Sequence, residues 1–579
     1  MESKIKDALI TGVERVAAWS DLLDDINVFP VADGDTGRNL MTSLAPLREF
    51  DMDREKMIRR LLFSARGNSG NIATLFLSGL LTARSVQEIP AASRLGRDRA
   101  WQAVTDPVAG TMLDVVDTLV QTMEKHTAWD LKRDTLETLH NLEGAVRATN
   151  GLLPRLKQAG VVDSGALGMF IFLEGFLKTL GGMAEHERFK PVTEIFRGLL
   201  RVSPSFRENR EEGYCIDMIV RFDEMSDNHL QSLSEHGDSV VVIPHDDFFK
   251  VHLHTSDRDE TKQKIESLCR LVHWSEDDLN RQIGRFRRPP GSSPVHIMTD
   301  AAGSITREDS RAMGVTLLDS YITAGDRCLP ETLFVPSELY KYMRGGVKVS
   351  SSQASVFERR QYYESVLNQH ERVLYLCVGS YYTGNYEVAM KWKRENDPDN
   401  RFTVIDTGAA SGRLGMIVMA TARYAAARDG AETVIAFARG AVELCEEYVF
   451  LDKLHYLAAG GRLSRSSAFF GDLLHMKPVI TPLSEGAKKV AVLRSRSDQL
   501  QFALERLEKA FSPDSRAFIL LQYTDNRSWV NTEVLQKIQG LYPSAEIKLQ
   551  PLSLTSGVHM GPGTWAIAFI PDNTTLADP

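Results

Sequence analysis

Two aspartates one residue apart could bind a metal ion in the run NVFPVADGDTGRN, Asn27 to Asn39. Mg²⁺ prefers carboxylate and carbonyl oxygens at about 2.0–2.1 Å and bridges them to substrate phosphates. Asp33 and Asp35 can converge on one ion only if the backbone turns sharply, which Gly34 permits, and Asn27 adds an amide oxygen. The same residues also suit an Asx-rich loop that caps the following helix. Spacing alone does not separate these two interpretations.

Two further loops place glycine and small polar residues directly before apolar helices. Exposed backbone N–H groups and the positive end of a helix suit phosphate at such positions. Each loop alone is also compatible with an ordinary turn, and neither is a Walker A loop, which needs Gly-Lys-Ser/Thr. The residues are Gly67, Asn68, Ser69 and Gly70 in ARGNSG, and Gly160, Asp163, Ser164 and Gly165 in GVVDSGALG.

Two histidines and a cysteine form a second candidate metal site. His252 and His254 are two residues apart in the strand-like FFKVHLHT, so their rings project from one face. Cys215 lies on an earlier strand-like segment and meets them if those strands pair. Cysteine with two histidines suits Zn²⁺ and leaves a fourth position open. A strand His-X-His pair is, however, more often a surface feature than a metal site.

Small-polar loops follow predicted strands in the second half of the chain. Ser350–Ser355 (SSSQAS) follows the strand-like GGVKV, and GSYYTGNY begins at Gly379 after VLYLCV. In open α/β sheets, ligands bind beyond the carboxyl ends of strands, so these loops are candidate anion sites. Arg462 and His559 could add a charge and a donor. Each of these residues is also compatible with an ordinary turn.

The elements that position these residues change along the chain. Residues 1 to about 190 have the periodicity of helices joined by glycine-rich loops, with one helical stretch from Leu131 predicted to break near Asn150 and Gly151. Residues from about 205 to 285 alternate strand-like and helical segments, which predicts a small α+β module. Phe286–Pro294 is typical of a linker. Beyond it, β-branched strands alternate with helices, as in α/β sheets.

The length, composition and charge of the chain limit the classes of protein to which it can belong. A chain of 579 residues is too long for one core, and 43% hydrophobic with 25% charged residues is ordinary for a globular protein. A net charge of −9 argues against nucleic acid as the main partner. No apolar run reaches the roughly 18 residues of a membrane span, and the amino terminus is unlike a signal peptide. Five scattered cysteines argue against a disulfide framework and fit a reducing cytoplasm: Cys215, Cys269, Cys328, Cys377 and Cys445.

These three loops, together with the run PVAGTM at residues 107–112, resemble one family. In order and spacing, FPVADGDTG, ARGNSG, PVAGTM and GVVDSGALG are similar to the nucleotide-binding (DhaL-like) domain of dihydroxyacetone kinases, and to its version in bacterial fatty acid kinases. The resemblance covers about residues 1–195 and implies an all-α helical barrel that binds ATP through Mg²⁺ on Asn27, Asp33 and Asp35. Ala32 and Ser164 depart from the family pattern without removing a ligand. The nucleotide would be surrounded by Gly67, Asn68, Ser69, Gly110, Thr111 and Asp163.

The rest of the chain extends this resemblance. In fatty acid kinases a central module, here residues 200–286, carries a similar Cys…His-X-His set, which implies Cys215, His252 and His254 as zinc ligands. From about 294 to 579, SSSQAS, VGSYYTGNY, YLAAGGRLS and VHMGPG resemble the DegV family of fatty-acid-binding proteins. That likeness implies a two-lobed α/β domain with an acyl tunnel. Ala301, Tyr381 and Tyr382 depart from its pattern. The carboxylate would be held by Ser351, Ser352, Ser380, Arg462 and His559.

These resemblances lead to a functional hypothesis. We expect ATP-dependent phosphorylation of a fatty acid carboxylate, with Asp33, Asp35 and Arg462 acting in catalysis. One alternative is a non-catalytic lipid-binding protein that senses ATP, and another is a kinase of a small dihydroxyacetone-like polyol. A fatty acid, an acyltransferase that uses the acyl phosphate and a second copy of the chain are the candidate partners.

Overall fold

The chain folds as two compact units, Met1–Arg287 and Arg288–Pro579. The computed structural model describes residues 2–50, 53–104, 106–126, 129–183, 189–207, 213–222, 233, 237–245, 247–279, 293–428, 430–453, 456–457 and 476–570. Arg462 and nearly all of the predicted linker at 286–294 lie outside these ranges. Within them, none of the helices combines the length and apolar character that a membrane span requires.

Helices α1 to α10 build the amino-terminal part of the first unit. Seven of them contact one another in a closed ring, in the order α1, α2, α4, α5, α6, α7, α9 and back to α1, which is a helical barrel. Helix α9 is almost entirely buried because its sequence is apolar on every side. The bounds are α1 Glu2–Asp25, α2 Thr36–Leu44, α3 Arg54–Ser64, α4 Gly67–Leu80, α5 Ile89–Ala103, α6 Met112–Glu124, α7 Leu131–Leu152, α8 Pro154–Ala159, α9 Ser164–Leu180 and α10 Val192–Ile195.

The predicted break near Asn150 and Gly151 is displaced. Helix α7 continues to Leu152, and Leu153 is extended with φ −102° and ψ 122°. The physical cause is Pro154, because a residue before proline is driven out of the helical region. Proline then starts α8, whose C-cap is Gly160 in the left-handed conformation.

A four-stranded antiparallel sheet with order β2-β3-β1-β4, covered by one helix, follows the barrel in the first unit. One face is apolar: Ile216, Met218, Val251 and Leu253 form a core with Ile265 of helix α11. The opposite face carries polar residues, and strands β1, β2 and β3 all contact α4 of the barrel. The bounds are β1 Tyr214–Arg221, β2 Asp238–His245, β3 Phe248–Thr255, α11 Arg258–Leu268 and β4 Arg270–Asp278.

The described residues of the second unit form three sheets. Their orders are β11-β10-β5-β6, all parallel, then β14-β13-β12-β17-β15-β16, and an antiparallel sheet β8-β7-β9. Helix α16, Ser411–Ala427, contacts strands of both larger sheets. The strands are β5 His296–Asp300, β6 Thr316–Leu318, β7 Ser320–Ala324, β8 Arg327–Pro330, β9 Val349–Gln353, β10 Val373–Cys377, β11 Phe402–Asp406, β12 Glu446–Phe450, β13 Lys477–Leu483, β14 Gly486–Leu493, β15 Phe518–Tyr523, β16 Glu546–Pro551 and β17 Trp565–Ile570.

The helices of the second unit lie between and around these sheets. They are α12 Arg307–Met313, α13 Pro336–Arg344, α14 Val356–Gln369, α15 Asn385–Asn396, α16 Ser411–Ala427, α17 Ala431–Leu444, α18 Arg496–Ala510, α19 Arg527–Trp529, α20 Gln536–Leu541 and α21 Leu554–Met560. Shorter 3₁₀ and π segments cover Ala45–Glu49, Val86–Glu88, Ala301–Gly303, Glu331–Leu333 and Val530–Leu535.

The placement of the serines at 350–355 in a loop after a strand is wrong in part. Ser351 and Ser352 lie inside β9, where they pair with Ile322 and Tyr321 of β7. The cause is long-range: β7 hydrogen-bonds to the serine-containing segment, which local β-propensity does not reveal.

Candidate functional site

The run from Asn27 to Asn39 forms a tight turn that holds its two aspartates side by side. Gly34 between them has a φ of +61°, which residues with a Cβ atom rarely adopt. Asn27 donates from Nδ2 to Asp33 Oδ1 at 2.6 Å, and the polar side chains of Asn27, Asp33 and Asp35 are buried. Burial, and then the nearby Asp35 carboxyl, hold the pKa of Asp33 well above its usual range. Buried carboxyl groups in contact suit a divalent cation, because the cation relieves their repulsion.

The helix-cap interpretation does not account for Asp35. This residue occupies the N-cap position of α2, but its side chain makes no cap hydrogen bond. Asp24 of α1 accepts instead from the N–H groups of Gly37 at 2.7 Å and Arg38 at 3.2 Å. Because another carboxylate performs the capping, the metal interpretation of Asp35 is favoured.

Ser164, the first residue of α9, connects that helix to the aspartate turn. Its hydroxyl lies 3.2 Å from Asn27 Oδ1 and 3.0 Å from Thr36 Oγ1, within hydrogen-bond distance of both. All three side chains are buried. The contact orients the amide of Asn27, the proposed third metal ligand. Sequence analysis placed Ser164 in a candidate phosphate loop and as a departure from the family pattern, but did not predict its contact with Asn27.

The amino ends of α4 and α9 meet at Gly165. A Cβ atom there would lie 3.2 Å from Asp163 Oδ1 and 3.3 Å from Ser69 Oγ. Asp163 caps α9 by accepting from the Ala166 N–H at 2.7 Å. Burial raises the pKa of Asp163 to about 7. Two of the predicted nucleotide residues, Ser69 and Asp163, are therefore neighbours at paired helix ends that favour negative charge.

Gly67, Asn68 and Ser69 form the first turn of α4. Gly67 has a φ of +60°, and a Cβ atom there would lie 2.1 Å from Asn39 Nδ2, so this position needs glycine. Its N–H donates to Asp217 Oδ2 at 3.0 Å. This amide, which sequence analysis associates with phosphate, is thus already bonded to strand β1.

Gly110 and Thr111 lie directly before α6. Their N–H groups donate to Asp114 Oδ2 at 2.7 and 2.9 Å, and Thr111 forms a capping box with Asp114. The local segment satisfies both amides, so contact with a nucleotide through other atoms of these residues stays a prediction.

The second metal candidate assembles as its spacing predicts. Cys215 pairs with His254 across β1 and β3, and the ligand atoms of Cys215, His252 and His254 all lie within 4.8 Å of one another. His252 is fully buried, and its Nε2 has no hydrogen-bond partner among the described residues. Burial, and then His252, lower the pKa of His254 to about 3, which favours the neutral ring that a metal requires. These residues fit Zn²⁺.

The zinc candidate lies in the electric field of the aspartate turn. Burial is the largest cause that raises the pKa of Cys215 well above its usual range, and the charge of Asp217 is the next. The charges of Asp35 and Asp33 raise this pKa further. Asp277, which pairs with Cys215 across β1 and β4, has its pKa raised to about 6 by burial and then by Asp35. The acidic side chains of the turn are therefore near enough to affect ionisation at the cysteine–histidine cluster.

A cavity of about 790 Å³, including its open mouth, lies in the second unit. This volume is within the usual range for small-molecule pockets. Ser351 Oγ lies 3.1 Å from His559 Nε2 at its wall, so hydroxyl and imidazole can act together on one ligand oxygen. The remaining lining is largely apolar and includes Val378, Leu457, Ile480, Pro482 and Met560.

The predicted head-group residues divide into three groups. Ser351, Ser352 and His559 line the cavity. Ser380 is not among the described lining residues, and its N–H donates to Asp406 Oδ1 at 3.1 Å. Arg462 lies outside the described residues. Tyr382 and Thr383, from the same loop as Ser380, do line the cavity.

Three family models match the chain in succession. The DAK2 domain matches residues 30–178, a middle domain like that of fatty acid kinase matches 211–285, and the DegV family matches 294–572. The chain joins these three domains in one polypeptide. This result confirms both the resemblance and the multidomain fold class predicted from the sequence.

Curated relatives share part of this arrangement. Protein SH1689 of Staphylococcus haemolyticus is 32% identical over 308 residues, which are 48% of this chain and 54% of that protein. Protein YloV of Bacillus subtilis is 29% identical over 366 residues, 56% of this chain and 65% of that protein. The chain therefore spans about half to two thirds of these relatives. A DegV family protein from Thermus thermophilus, described by its fatty acid binding, is 22% identical with a TM-score of 0.44, covering 48% of this chain and 100% of its own.

Two buried residues of the fatty-acid-kinase-like middle domain were missed from the sequence. Asp217 stands two residues after Cys215 on β1, and Lys250 stands two residues before His252 on β3. Their Oδ1 and Nζ atoms are 3.2 Å apart, and burial lowers the pKa of Lys250 to about 8. The period of two in a strand places both on the zinc-candidate face, so the signal was present.

Proposed function

We propose that this chain transfers the γ-phosphoryl group of ATP to the carboxylate of a fatty acid, giving an acyl phosphate and ADP. A carboxylate oxygen forms a bond to the γ-phosphorus, the bond to the β,γ-bridging oxygen breaks, and that oxygen leaves on ADP with the electron pair. A fatty acid carboxyl group with a pKa near 4 is already ionised at neutral pH, so no strong general base is needed. Catalysis then consists of positioning and charge neutralisation.

The observation that carries the proposal is the buried Asp33–Asp35 pair in the DAK2 domain, beside the meeting amino ends of α4 and α9. Asn27, Asp33 and Asp35 would hold Mg²⁺, which supplies charge neutralisation at the β- and γ-phosphates when bound. Asn68 and Ser69 present the first turn of α4 to phosphate. The remaining nucleotide contacts are assigned to Gly67, Gly110, Thr111 and Asp163.

The DegV domain would carry the acceptor. Its cavity combines an apolar lining with polar groups at one wall, which suits an acyl chain that ends in a carboxylate. Ser351, Ser352 and His559 would orient the carboxylate, while Ser380 and Arg462 stay proposed members of this site. Arg462 would also offset charge during transfer. The match to a middle domain of fatty acid kinases further supports a fatty acid acceptor.

The direct test is incubation of the full chain with ATP, Mg²⁺ and oleate or palmitate, with hydroxylamine trapping of acyl phosphate. Trapped product with fatty-acid-dependent ADP release supports the proposal. Asp35→Ala should abolish product while leaving fatty acid binding intact. ATP and lipid binding without product would identify an ATP-sensing lipid-binding protein, and phosphorylation of glycerone instead would identify a polyol kinase.

Two variants show whether transfer occurs within one chain or between copies. Asp35→Ala lacks a metal ligand and His559→Ala lacks a head-group contact, so each alone should be inactive or nearly so. Activity restored on mixing them means that one copy supplies ATP and another supplies lipid. Adding an acyltransferase that accepts acyl phosphates then tests the candidate consumer of the product.

A further inference from the structure

Asp217 is a buried carboxylate shared by the middle domain and the DAK2 domain. Its Oδ2 atom accepts from the Gly67 N–H at 3.0 Å and lies 3.4 Å from His252 Nδ1. Its Oδ1 atom accepts from Asn71 Nδ2 at 3.1 Å and lies 3.2 Å from Lys250 Nζ. Two of these partners belong to α4 and two belong to strand β3.

Contacts on both oxygens hold Asp217 in place. Its side chain is 5% exposed, and the side chains of Lys250 and His252 are fully buried. A carboxylate with four partners in a buried site has little freedom to move, because each lost contact leaves a buried polar group unsatisfied. A shift in the position of Asp217 therefore also shifts its partners.

One oxygen of Asp217 serves two candidate sites. A carboxylate beside the ring N–H of a metal-binding histidine fixes the tautomer and orientation of that ring, and Oδ2 stands in this relation to His252. The same atom holds Gly67, the left-handed residue that starts the proposed phosphate-binding turn. A change in the position of His252 is thereby coupled to the position of Gly67.

We propose that Asp217 is a positioning residue that couples metal binding at Cys215, His252 and His254 to nucleotide binding at the start of α4. The inference rests on the nucleotide site of the proposed function but does not require phosphoryl transfer. Because coupling between two binding sites is reciprocal, zinc raises the affinity for ATP and ATP raises the affinity for zinc by one common factor.

The test measures binding without any fatty acid. Zinc-free and zinc-loaded full chains are titrated with Mg-ATP by calorimetry, and zinc affinity is measured by competition with a chelator. We expect zinc to raise the ATP affinity of the wild type about fivefold or more. Asp217→Asn should weaken zinc binding about 10- to 100-fold and should make ATP affinity independent of zinc.

Two further variants keep the test decisive. Asp257→Asn, at the exposed N-cap of α11, removes the same charge from the middle domain and should retain the coupling. Asn71→Ser removes one of the two α4 contacts of Asp217 and leaves the contacts with β3 in place. It should therefore lower ATP affinity while zinc affinity in the absence of ATP stays unchanged. It replaces Asp217→Asn if that variant does not fold.

Three results overturn the inference: wild-type ATP affinity that does not depend on zinc, coupling that survives Asp217→Asn, or ATP affinity unchanged by Asn71→Ser. If ATP binds with the expected coupling but no acyl phosphate forms, the proposed function fails and this inference stands. If acyl phosphate forms but zinc does not change the affinity for ATP, this inference fails and the proposed function stands.

Discussion

Asp33 and Asp35 lie side by side in one buried turn, where burial and then the charge of Asp35 raise the pKa of Asp33. Two neighbouring carboxylates repel each other when both are ionised, and burial strengthens the repulsion. Arg38, the nearest cation in sequence, lies with its Nε 3.5 Å from Asp24. A proton or a bound metal ion would therefore relieve the repulsion within this turn.

Asp33→Asn should separate the stability of this turn from its metal affinity. The amide cannot ionise, so without Mg²⁺ the variant should melt a few degrees above the wild type near neutral pH. Loss of a charged ligand should weaken Mg-ATP binding about 10- to 100-fold. Thermal unfolding in a chelator and calorimetry with Mg-ATP measure the two effects. Asp53→Asn, at the N-cap of α3, is the control and should change neither. A variant that melts below the wild type without Mg²⁺ contradicts the argument.

Because burial raises the pKa of Asp163, we expect the free energy of unfolding to fall as the pH rises. Its pKa is raised from 3.8 to about 7, so between these values the folded protein holds a proton that the unfolded chain has released. Stability is therefore lost as pH rises from about 4 to about 7 and levels off above that. Asp163→Asn keeps an N-cap residue but cannot ionise, so relative to the wild type it should gain up to about 4 kcal/mol over this window. Thermal unfolding at pH 5 and pH 8 measures the difference.

The control for this pH effect is Asp257→Asn. Asp257 is also an N-cap aspartate, with its carboxyl accepting from Glu260 N–H at 3.0 Å, but it is exposed. Asp257→Asn should leave the difference in thermal stability between pH 5 and pH 8 the same as in the wild type. If Asp163→Asn also shows the wild-type difference in stability between the two pH values, the raised pKa of Asp163 does not cause the pH dependence.

The cavity of the second unit gives a prediction for which the observed lining and the family resemblance differ. His559→Ala removes a side chain that lines the cavity and bonds Ser351, so affinity for a fluorescent fatty acid should fall about 10-fold or more. Ser380→Ala should lower this affinity less than His559→Ala, because Ser380, although a proposed member of the site, is not among the described lining residues. Fluorescence titration measures both, with ATP binding as the check on folding. Equal losses for the two variants favour the resemblance over the observed geometry.

The chemistry of the candidate sites could largely be predicted from local sequence. Gly34 between two aspartates specifies a turn, and the period of two in FFKVHLHT places His252 and His254 on one face. The contact between Asp217 and Gly67 could not be predicted this way, because 150 residues separate them. It depends on how the middle sheet packs on α4, and no local pattern encodes that packing.

The serines of the DegV domain show the same limit in the fold. Local propensity indicates a strand at GGVKV and a loop after it, but β9 contains Ser351 and Ser352. Pairing with β7 supplies the hydrogen bonds that this segment does not favour intrinsically. Their contribution to the cavity wall was nevertheless predicted, because it followed from the family motif rather than from the strand assignment.

Gly37 provides the sharpest test of how the first two helices hold the aspartate turn. A Cβ atom there would lie 2.0 Å from the backbone oxygen of Ser20 in α1, and backbone cannot move aside as a flexible side chain does. Gly37→Ala should therefore force α2 away from α1, at a cost of about 3 kcal/mol or more. Because Asp24 caps α2 at this point, the same displacement should move Asp35 and weaken Mg-ATP binding.

The matched control is Gly144→Ala in α7, where nothing lies within 4 Å of the added Cβ atom. Alanine is the better helix former, so this variant should gain about 0.5–1 kcal/mol with Mg-ATP affinity unchanged. Thermal unfolding and calorimetry on both variants complete the comparison. Gly37→Ala is compared with the wild type by its melting temperature and its affinity for Mg-ATP. If both are unchanged, the close approach of α1 and α2 does not position the turn. The assignment of Asp35 as a ligand then loses this structural support.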